Sequence, residues 1–110
     1  MKKILLAGAT GYLGSHIAKR LVQSAYNPRL VVRSPEKLAQ CGIEIEDLFH
    51  ADVTRPETLK DCCKGIDTVI STIGITRQKD GLTYLDVDYQ ANLNLLNEAR
   101  KNRVRKFVYV

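Results

Sequence analysis

Residues 3–14, KILLAGATGYLG, join a short apolar run to three glycines that stand three positions apart. The run at residues 3–7 has no polar alternation, which is typical of a strand buried on both faces of a parallel sheet. Gly8 ends this run. From Tyr12 onward apolar side chains recur every four residues, which is the spacing of one helix face. The stretch therefore predicts a strand, a tight turn and an amphipathic helix in direct succession.

The remainder of the chain alternates between further strands and helices. Apolar runs predict strands at residues 30–32, 43–50, 68–70 and 106–110. The second of these contains the carboxylates Glu44, Glu46 and Asp47, so it is expected at the edge of a sheet.

Three more helices are predicted between these strands. Ser-Pro at residues 34–35 has the character of an N-cap and first helical position, and it opens a short helix that runs to Gly42. Thr54 and Glu57 have the spacing of a capping box, and they predict a helix of two to three turns that ends at Gly65. The longest helix has apolar residues at helical spacing, namely Leu85, Tyr89, Leu93, Leu96 and Ala99.

Five strands that alternate with four helices predict an α/β fold. Parallel strands require right-handed crossovers, and the crossover helices must cover both faces of the sheet. The expected architecture is a doubly wound parallel sheet in strand order 3-2-1-4-5, formed by residues 1–110 as one domain. Because such a sheet ordinarily continues with another helix and strand, the chain is expected to be the N-terminal part of a longer domain, truncated after strand five.

The glycines predict a pyrophosphate site at the first turn. A strand that passes through a glycine turn into a helix directs free backbone N–H groups and the positive end of the helix dipole at an anion. Gly8 would allow the turn, Gly11 the close approach of a phosphate, and Gly14 the packing of helix against strand. Thr10 would add a hydroxyl donor. The alternative, glycines used only for turning and packing, is compatible with the same spacing.

The chain resembles the short-chain dehydrogenase/reductase superfamily, in particular its extended and atypical branches. The motifs that carry the resemblance are Gly-Ala-Thr-Gly-Tyr-Leu-Gly at 8–14, Ala-Asp-Val at 51–53, Ser-Thr-Ile-Gly at 71–74, Val-Asp-Tyr-Gln-Ala-Asn at 87–92 and Lys-Phe-Val-Tyr-Val at 106–110. This resemblance covers the whole chain and implies a Rossmann fold that binds a nicotinamide dinucleotide. Tyr12 and Leu13 are then expected to flank its phosphates.

The resemblance also implies where the two ends of the cofactor lie. Asp52 and Val53 would contact the adenine, with the Asp52 carboxylate accepting a hydrogen bond from the exocyclic amine. Capping of the following turn is a second role for Asp52 and is compatible with the first. Thr72, Ile73 and Gly74 would lie beside the ribose that is nearer the nicotinamide, in the crevice outside the carboxyl ends of strands one and four.

The choice of cofactor depends on the end of the second strand. An acidic residue there would accept hydrogen bonds from the adenosine ribose and repel a 2′-phosphate, but this chain has Arg33. Ser34 and Lys37 follow, so a guanidinium, a hydroxyl and an ammonium group could converge on a phosphate. NADP is therefore the preferred cofactor, with NAD possible, although an exposed cation with no ligand is a second interpretation of Arg33.

Catalytic residues are not identified. Catalysis in the superfamily usually depends on Tyr followed four positions later by Lys, and no tyrosine of this chain has that spacing. Asp88 also stands where many extended members carry an active-site Asn. Two functions stay open: part of an NADP-dependent reductase, dehydrogenase or epimerase whose substrate-binding part lies outside this chain, or a non-catalytic module that serves as a redox sensor, regulator or assembly factor.

The net charge of +5 raises the question of nucleic acid, since five cations cluster at residues 100–106. No aromatic residues are interleaved with them and no nucleic-acid-binding motif is present, so the sequence does not favour such a partner. A helix end accounts for the cluster, because cations favour the negative pole of the helix dipole. The sequence identifies no substrate, protein partner or oligomeric state.

The three cysteines, Cys41, Cys62 and Cys63, lack metal-ligand spacing, and adjacent cysteines do not bridge each other without strain. The cysteines therefore predict a reducing compartment, and so a cytoplasmic location. No metal site is expected. Cys62 and Cys63 are expected on the third helix with one side chain facing inward. No apolar run approaches the length that spans a membrane.

Overall fold

The fold is organised around one sheet. A computed structural model describes residues 3–24, 26–73 and 82–110, with side chains of the last range described from Asp88 onward. The strands are β1 (Ile4–Ala7), β2 (Arg29–Val32), β3 (Leu48–His50), β4 (Thr68–Ser71) and β5 (Lys106–Tyr109). The α-helices are α1 (Tyr12–Gln23), α2 (Pro35–Gln40) and α3 (Leu82–Lys101), and a short 3₁₀ helix spans Pro56–Leu59. All strands are parallel and their order is β3-β2-β1-β4-β5, which confirms the predicted doubly wound topology.

The middle strand, β1, is covered on both faces. It pairs with β2 on one side and β4 on the other, and successive side chains point to opposite faces. Leu5 and Ala7 belong to a core cluster with Leu95 of α3, whereas Leu6 belongs to a second cluster with Ala18 of α1. These three β1 side chains are fully buried. The lack of polar alternation in β1 therefore reflects burial on both faces, as predicted.

The edge strand β3 is shorter than predicted. The edge position is confirmed, but only Leu48–His50 pair with β2, and residues 43–47 are not part of the strand. Asp47 instead forms ion pairs with Lys3 Nζ (2.8 Å) and Arg29 Nε (3.1 Å). Burial acts to raise the pKa of Asp47, but hydrogen bonds from Lys3 and Arg29 and their charges together lower it below its ordinary value. The carboxylate thus joins β1 and β2 to the segment that enters β3.

The α-helix predicted between residues 54 and 65 is wrong. Thr54 does not cap it, because its hydroxyl donates to Asp52 Oδ1 (2.6 Å). The chain forms the 3₁₀ helix instead, and Asp61 then adopts a positive φ of 67°, which interrupts any helix. Cys62 and Cys63 consequently lie in turns rather than on a helix, and both are fully buried, not just one of them.

The buried face of α3 contains only part of the predicted stripe. Tyr89 is 70% exposed, and the residues packed into the core are Ala91, Leu95 and Ala99. The predicted stripe, represented by Leu93 and Leu96, lines a groove of about 630 Å³ beside β5, together with Phe107 and Tyr109. The helix therefore has two apolar faces, and the predicted stripe combines residues of both.

Candidate functional site

The turn between β1 and α1 has the geometry of an anion cradle. Gly8 adopts a positive φ of 93°, which L-residues with side chains rarely tolerate. The Gly11 N–H donates to the Gly8 carbonyl (3.1 Å), and the Ser15 N–H donates to the Gly11 carbonyl (2.8 Å). Within the described part of the chain, the N–H groups of Tyr12 and Leu13 have no acceptor. These two N–H groups point out of the first turn of α1, where the helix dipole is positive.

Close packing explains the third glycine of the loop. A Cβ on Gly14 would overlap the Gly8 carbonyl and would lie 2.7 Å from Thr72 Oγ1. Thr72 is fixed in this place, because its hydroxyl donates to the carbonyls of Ala7 and Gly8 (3.2 Å each). A Cβ on Gly8 would also collide with the Thr72 hydroxyl. The loop, the first turn of α1 and the end of β4 therefore form one tightly packed unit.

The middle of the loop is open to solvent. Thr10 and Gly11 are exposed, Tyr12 is 82% exposed and Leu13 is 44% exposed. The Leu13 side chain thus lies outside the buried face of α1, although its N–H has no acceptor among the described residues. The Tyr12 ring packs edge-on against His16, with ring centroids 4.8 Å apart. A ligand that lies over this turn would cover both exposed side chains.

Asp52 lies just beyond the end of β3 and caps the turn that follows. Its Oδ1 accepts hydrogen bonds from the Thr54 N–H (3.0 Å) and the Thr54 hydroxyl (2.6 Å). These two bonds, with smaller contributions from the charges of Arg33 and Arg55, lower the pKa of Asp52. Asp52 is therefore ionised at neutral pH. The capping role considered for Asp52 is present, and Oδ2 makes no hydrogen bond with the described residues.

Val53 is held in place from α3. The Asn94 side chain donates to the Val53 carbonyl (3.0 Å), and Asn94 Oδ1 accepts from Gln90 (2.7 Å). Val53 itself is half-buried against the core cluster that contains Leu95. Asn94 is a residue that sequence reasoning missed. Asn94 is buried and a buried amide needs hydrogen-bond partners, but this burial is not visible in the sequence.

A second network holds the segment after β4. The buried Ser71 hydroxyl donates to Asn92 Oδ1, and Asn92 Nδ2 donates to the carbonyls of Ile73 and Asp88 (3.0 Å each). The Ile73 N–H in turn donates to the Ser71 hydroxyl (3.3 Å). Thr72 and Ile73, both predicted site residues, are half-buried here, next to the glycine loop. Gly74, the third of the set, lies outside the described residues.

Asp88 adds an unusual carboxylate to this end of the site. Its Oδ2 is buried and has no hydrogen-bond partner among the described residues. Burial raises the pKa of Asp88 above the ordinary value for an aspartate. Asp88 lies one helical turn before Asn92, at the end of the groove between α3 and β5. The groove therefore carries one polar end, near the segment after β4, and an apolar body.

Three of the predicted residues follow the end of β2. Arg33 and Lys37 are exposed, and Ser34 is half-buried. Ser34 occupies the N-cap position of α2, but its hydroxyl donates to Glu36 Oε2 (3.0 Å) instead of capping the helix. The Arg33 carbonyl accepts a hydrogen bond from His50 Nε2 of the neighbouring strand (2.9 Å). The segment from the end of β2 into α2 thus carries all three residues, Arg33, Ser34 and Lys37. The charge of Arg33 lies near Asp52.

The buried cysteines do not present a nucleophile to this site. Cys62 Sγ and Cys63 Sγ are 3.7 Å apart, and no disulfide joins them. The hydrogen bond with Cys63 and burial raise the pKa of Cys62, so it is a neutral thiol. Both cysteines lie among core residues such as Leu59 and Ile66.

The position of the glycine loop in the sheet defines the class of protein. Ligands of doubly wound sheets bind outside the carboxyl ends of the strands, at the point where the strand order reverses. In this sheet β1 and β4 form that point, and the glycine loop contacts Thr72 there. The chain is a dinucleotide-binding domain of the Rossmann class. Residues 8–110 match the family described as NAD(P)H-binding, and the chain belongs to this family.

Known proteins agree with this assignment. The Photosystem II assembly factor Ycf39 of Synechocystis is 31% identical over 107 residues, which are 97% of this chain and 32% of that protein. An NADPH-dependent quinone oxidoreductase of Escherichia coli, complexed with NADPH, has a TM-score of 0.74 at 20% identity. The match covers 96% of this chain and 35% of the oxidoreductase chain. Uronate dehydrogenase of Agrobacterium tumefaciens, complexed with NAD, has a TM-score of 0.78 at 24% identity. The match covers 100% of this chain and 40% of the dehydrogenase chain.

The predicted Rossmann domain for a nicotinamide dinucleotide is therefore confirmed, and the solved structures that share its fold include a quinone oxidoreductase and a dehydrogenase. Because one of the two solved structures holds NADPH and the other NAD, the shared fold does not choose between the cofactors. The chain spans about a third of the length of the curated relatives it matches. Among the helices of the described ranges, none is long and apolar enough to cross a bilayer.

Proposed function

We propose that this chain is the NADP(H)-binding part of a short-chain dehydrogenase/reductase-like oxidoreductase or epimerase, with the substrate-binding part supplied outside these 110 residues. The observation that carries the proposal is the β1–α1 turn, where Gly8, Gly11 and Gly14 leave the first N–H groups of α1 open to an anion. Membership in the NAD(P)H-binding family supports a nicotinamide dinucleotide as that anion.

The residues around the turn divide between the parts of the dinucleotide. The pyrophosphate would lie over Thr10, Gly11 and the N–H groups of Tyr12 and Leu13. The adenine would lie against Asp52 and Val53, where Asp52 Oδ2, which has no partner among the described residues, would accept a hydrogen bond from the exocyclic amine. The nicotinamide end would lie by Thr72, Ile73 and Gly74. When bound, the cofactor supplies hydride transfer, and this chain's residues bind and orient it.

NADP is preferred over NAD because of the charges that follow β2. A 2′-phosphate carries close to two negative charges at neutral pH. Arg33 and Lys37 are exposed there, and the described residues form no ion pair with either. The acidic residue that would bind the ribose hydroxyls of NAD is absent from the end of β2. Glu36 is the nearest acid in sequence, and the Ser34 hydroxyl already binds it.

Fluorescence titration with NADPH and NADH tests the proposal. The wild type is expected to bind NADPH roughly tenfold or more tightly than NADH, and Arg33→Ala should lose most of that preference. Arg100→Ala is the matched control, because Arg100 is also exposed but lies in the last turn of α3, outside the segment that follows β2. Equal affinity for both cofactors would refute the choice of NADP. Absence of binding of either at millimolar concentration would refute the whole proposal.

A second candidate is a non-catalytic module, and the similarity to the assembly factor Ycf39 favours it. In this case, cofactor occupancy would stabilise a surface that another protein recognises. Absorbance at the nicotinamide band, followed with NADPH and a panel of quinones, ketones and sugar nucleotides, separates the two candidates. Oxidation of NADPH by any member of the panel supports the enzyme. Tight binding without turnover on the panel supports the module.

A further inference from the structure

Helix α3 carries two asparagines, Asn92 and Asn94, whose side chains reach different parts of the sheet. Asn92 Nδ2 donates to the Ile73 carbonyl after β4 (3.0 Å), and Asn94 Nδ2 donates to the Val53 carbonyl after β3 (3.0 Å). In the sheet, β3 and β4 are separated by β2 and β1. Positions two apart on a helix lie about 200° from each other around its axis, so the two side chains leave α3 on different sides. One helix thus bonds to the backbone beyond the carboxyl ends of two distant strands.

A second partner fixes the direction of each amide. The Ser71 hydroxyl donates to Asn92 Oδ1, and Gln90 Nε2 donates to Asn94 Oδ1 (2.7 Å). Since the oxygen of each amide accepts one of these bonds, its NH2 group faces the carbonyl that it holds. Asn94 is buried and Asn92 is half-buried. Their low exposure limits competition from water, so each of these bonds is costly to lose.

The two sets of hydrogen bonds share no residue in the described ranges. One set joins Asn92 to Ser71, Ile73 and Asp88, and the other joins Asn94 to Gln90 and Val53. The glycine loop is held without either asparagine, because the Thr72 hydroxyl donates directly to the carbonyls of Ala7 and Gly8. Loss of one set should therefore leave the other set and the glycine loop in place.

From this geometry we infer that Asn92 and Asn94 are positioning residues for opposite ends of the dinucleotide, Asn92 for the nicotinamide riboside and Asn94 for the adenosine. The inference rests on the proposed function, in which the nicotinamide end lies by Ile73 and the adenine lies by Val53. Each asparagine acts through the backbone segment that it holds rather than by contact with the cofactor. Helix α3 thereby sets the affinity for each half of the cofactor separately.

Aspartate at each position gives a matched pair of variants. The side chain keeps its size and still accepts the bond from Ser71 or Gln90, but an oxygen replaces the NH2 group that faces the carbonyl. Asn92→Asp and Asn94→Asp also add the same charge to the same helix, so a general electrostatic effect on an anionic ligand is similar in both. Asn97→Asp, at an exposed position of α3, adds that charge outside both sets of bonds and is the control.

Two ligands that differ by the nicotinamide riboside separate the two ends of the site. NADPH has both ends, whereas 2′-phospho-ADP keeps only the adenosine, its 2′-phosphate and the pyrophosphate. Isothermal titration calorimetry gives the dissociation constant of each ligand for the wild type and each variant, at a temperature below the Tm that circular dichroism gives for that variant. NADH and ADP are titrated in parallel, so the result does not depend on the choice of NADP.

Asn92→Asp is expected to weaken NADPH binding roughly tenfold, while the affinity for 2′-phospho-ADP stays within about twofold of wild type. Asn94→Asp is expected to weaken both ligands by a similar factor of roughly tenfold, because both contain the adenosine. The ratio of the two dissociation constants therefore changes in Asn92→Asp alone. A merely structural role would lower both affinities alike in both variants. Asn97→Asp should match the wild type.

Ser71→Ala and Gln90→Ala form a milder second pair, which decides the matter if an aspartate variant does not fold. Each removes the donor that orients one amide and leaves the asparagine in place. Ser71→Ala should change the ratio in the direction expected for Asn92→Asp by roughly threefold. Gln90→Ala should lower both affinities alike and leave the ratio unchanged.

The pattern of losses decides between the outcomes. A changed ratio in Asn92→Asp, together with equal losses in Asn94→Asp, supports both roles. Absence of the expected loss in one variant overturns the role of that asparagine, and equal losses of both ligands in both variants overturn the inference; either result leaves the proposed function standing. A wild type that binds NADPH no more tightly than 2′-phospho-ADP overturns the role of Asn92. Failure of the wild type to bind any of the four ligands overturns the proposed function and the inference together.

Discussion

Replacing Gly14 by alanine should destabilise the fold itself, whereas the same change at Gly11 should spare the fold and weaken ligand binding. Both glycines belong to the same loop, and each change adds one methyl group. At Gly14 the added Cβ would overlap the Gly8 carbonyl and approach Thr72 Oγ1 to 2.7 Å. At Gly11 the only neighbour that the described residues place within 4 Å of the added Cβ is the Gly8 oxygen, at 3.4 Å, which is ordinary contact.

The cost at Gly14 follows from how firmly its neighbours are held. The Gly8 carbonyl accepts hydrogen bonds from Gly11 and Thr72, and the Thr72 hydroxyl also bonds to the Ala7 carbonyl, so neither group can move without loss. Overpacking of this kind costs about 1–3 kcal/mol or more. In a domain of this size such a loss lowers Tm by roughly 5–20 °C. Gly11 has a φ of −78°, which alanine adopts freely, so Gly11→Ala should change stability by no more than about 0.5 kcal/mol.

Thermal unfolding followed by circular dichroism, with NADPH titration on the same samples, measures both effects. Gly11→Ala should keep its Tm and lose roughly tenfold or more in NADPH affinity, since its Cβ would stand where the phosphate approaches. A Gly14→Ala variant with wild-type Tm would refute the packing argument. A Gly11→Ala variant with both wild-type Tm and wild-type affinity would refute the placement of the pyrophosphate over Gly11.

Three further changes probe the polar groups that support the site. Because burial raises the pKa of Asp88, its ionised form costs stability at neutral pH, and Asp88→Asn should be more stable than wild type by about 0.5–1 kcal/mol at pH 7. This advantage should disappear as the pH falls through the raised pKa and Asp88 itself becomes neutral; an advantage that is constant with pH contradicts the argument. The pKa of Asp47 is lowered, so its ion pairs with Lys3 and Arg29 stabilise the fold above the ordinary pKa and are lost as the pH falls through the lowered one. Asp47→Asn should therefore cost about 1 kcal/mol at pH 7 in urea unfolding and progressively less as the pH falls below the ordinary pKa of aspartate, and a cost that does not decrease in acid would show a different cause. Asn92→Asp removes two N–H donors and should cost about 1–3 kcal/mol by the same assay, whereas Asn97→Asp, at an exposed position of the same helix, should be nearly neutral.

Polar networks explain why part of the site escaped prediction. Asn92 and Asn94 fix the segments after β4 and β3 by bonding to the carbonyls of Ile73 and Val53. Asn92 and Ile73 are 19 residues apart in the chain, and Asn94 and Val53 are 41 residues apart. Nothing in the local pattern of α3 shows which carbonyls these amides meet, because the partners come together only when helix and sheet pack.

Competition between local signals and tertiary contacts explains the errors in the fold. Thr54 and Glu57 have capping-box spacing, but the Thr54 hydroxyl bonds to Asp52 and the Asp61 N–H bonds to the Glu98 carboxylate of α3 (3.1 Å). These bonds favour turns where local propensity favours a helix. In α3, periodicity alone could not distinguish the stripe that contains Leu93 from the one that contains Leu95, since both are apolar.

The sequence by itself determined the features that depend on local backbone chemistry and hydrophobic pattern. Residues 3–14 specified the buried strand, the positive-φ turn at Gly8 and the start of α1, and the alternation of strands and helices specified the order of the sheet. Only the tertiary structure decided the rest: which face of α3 is buried, that the turn containing Cys62 is not helical, and that His50 lies against Arg33. These features depend on contacts between residues far apart in the chain, and local pattern does not encode such contacts.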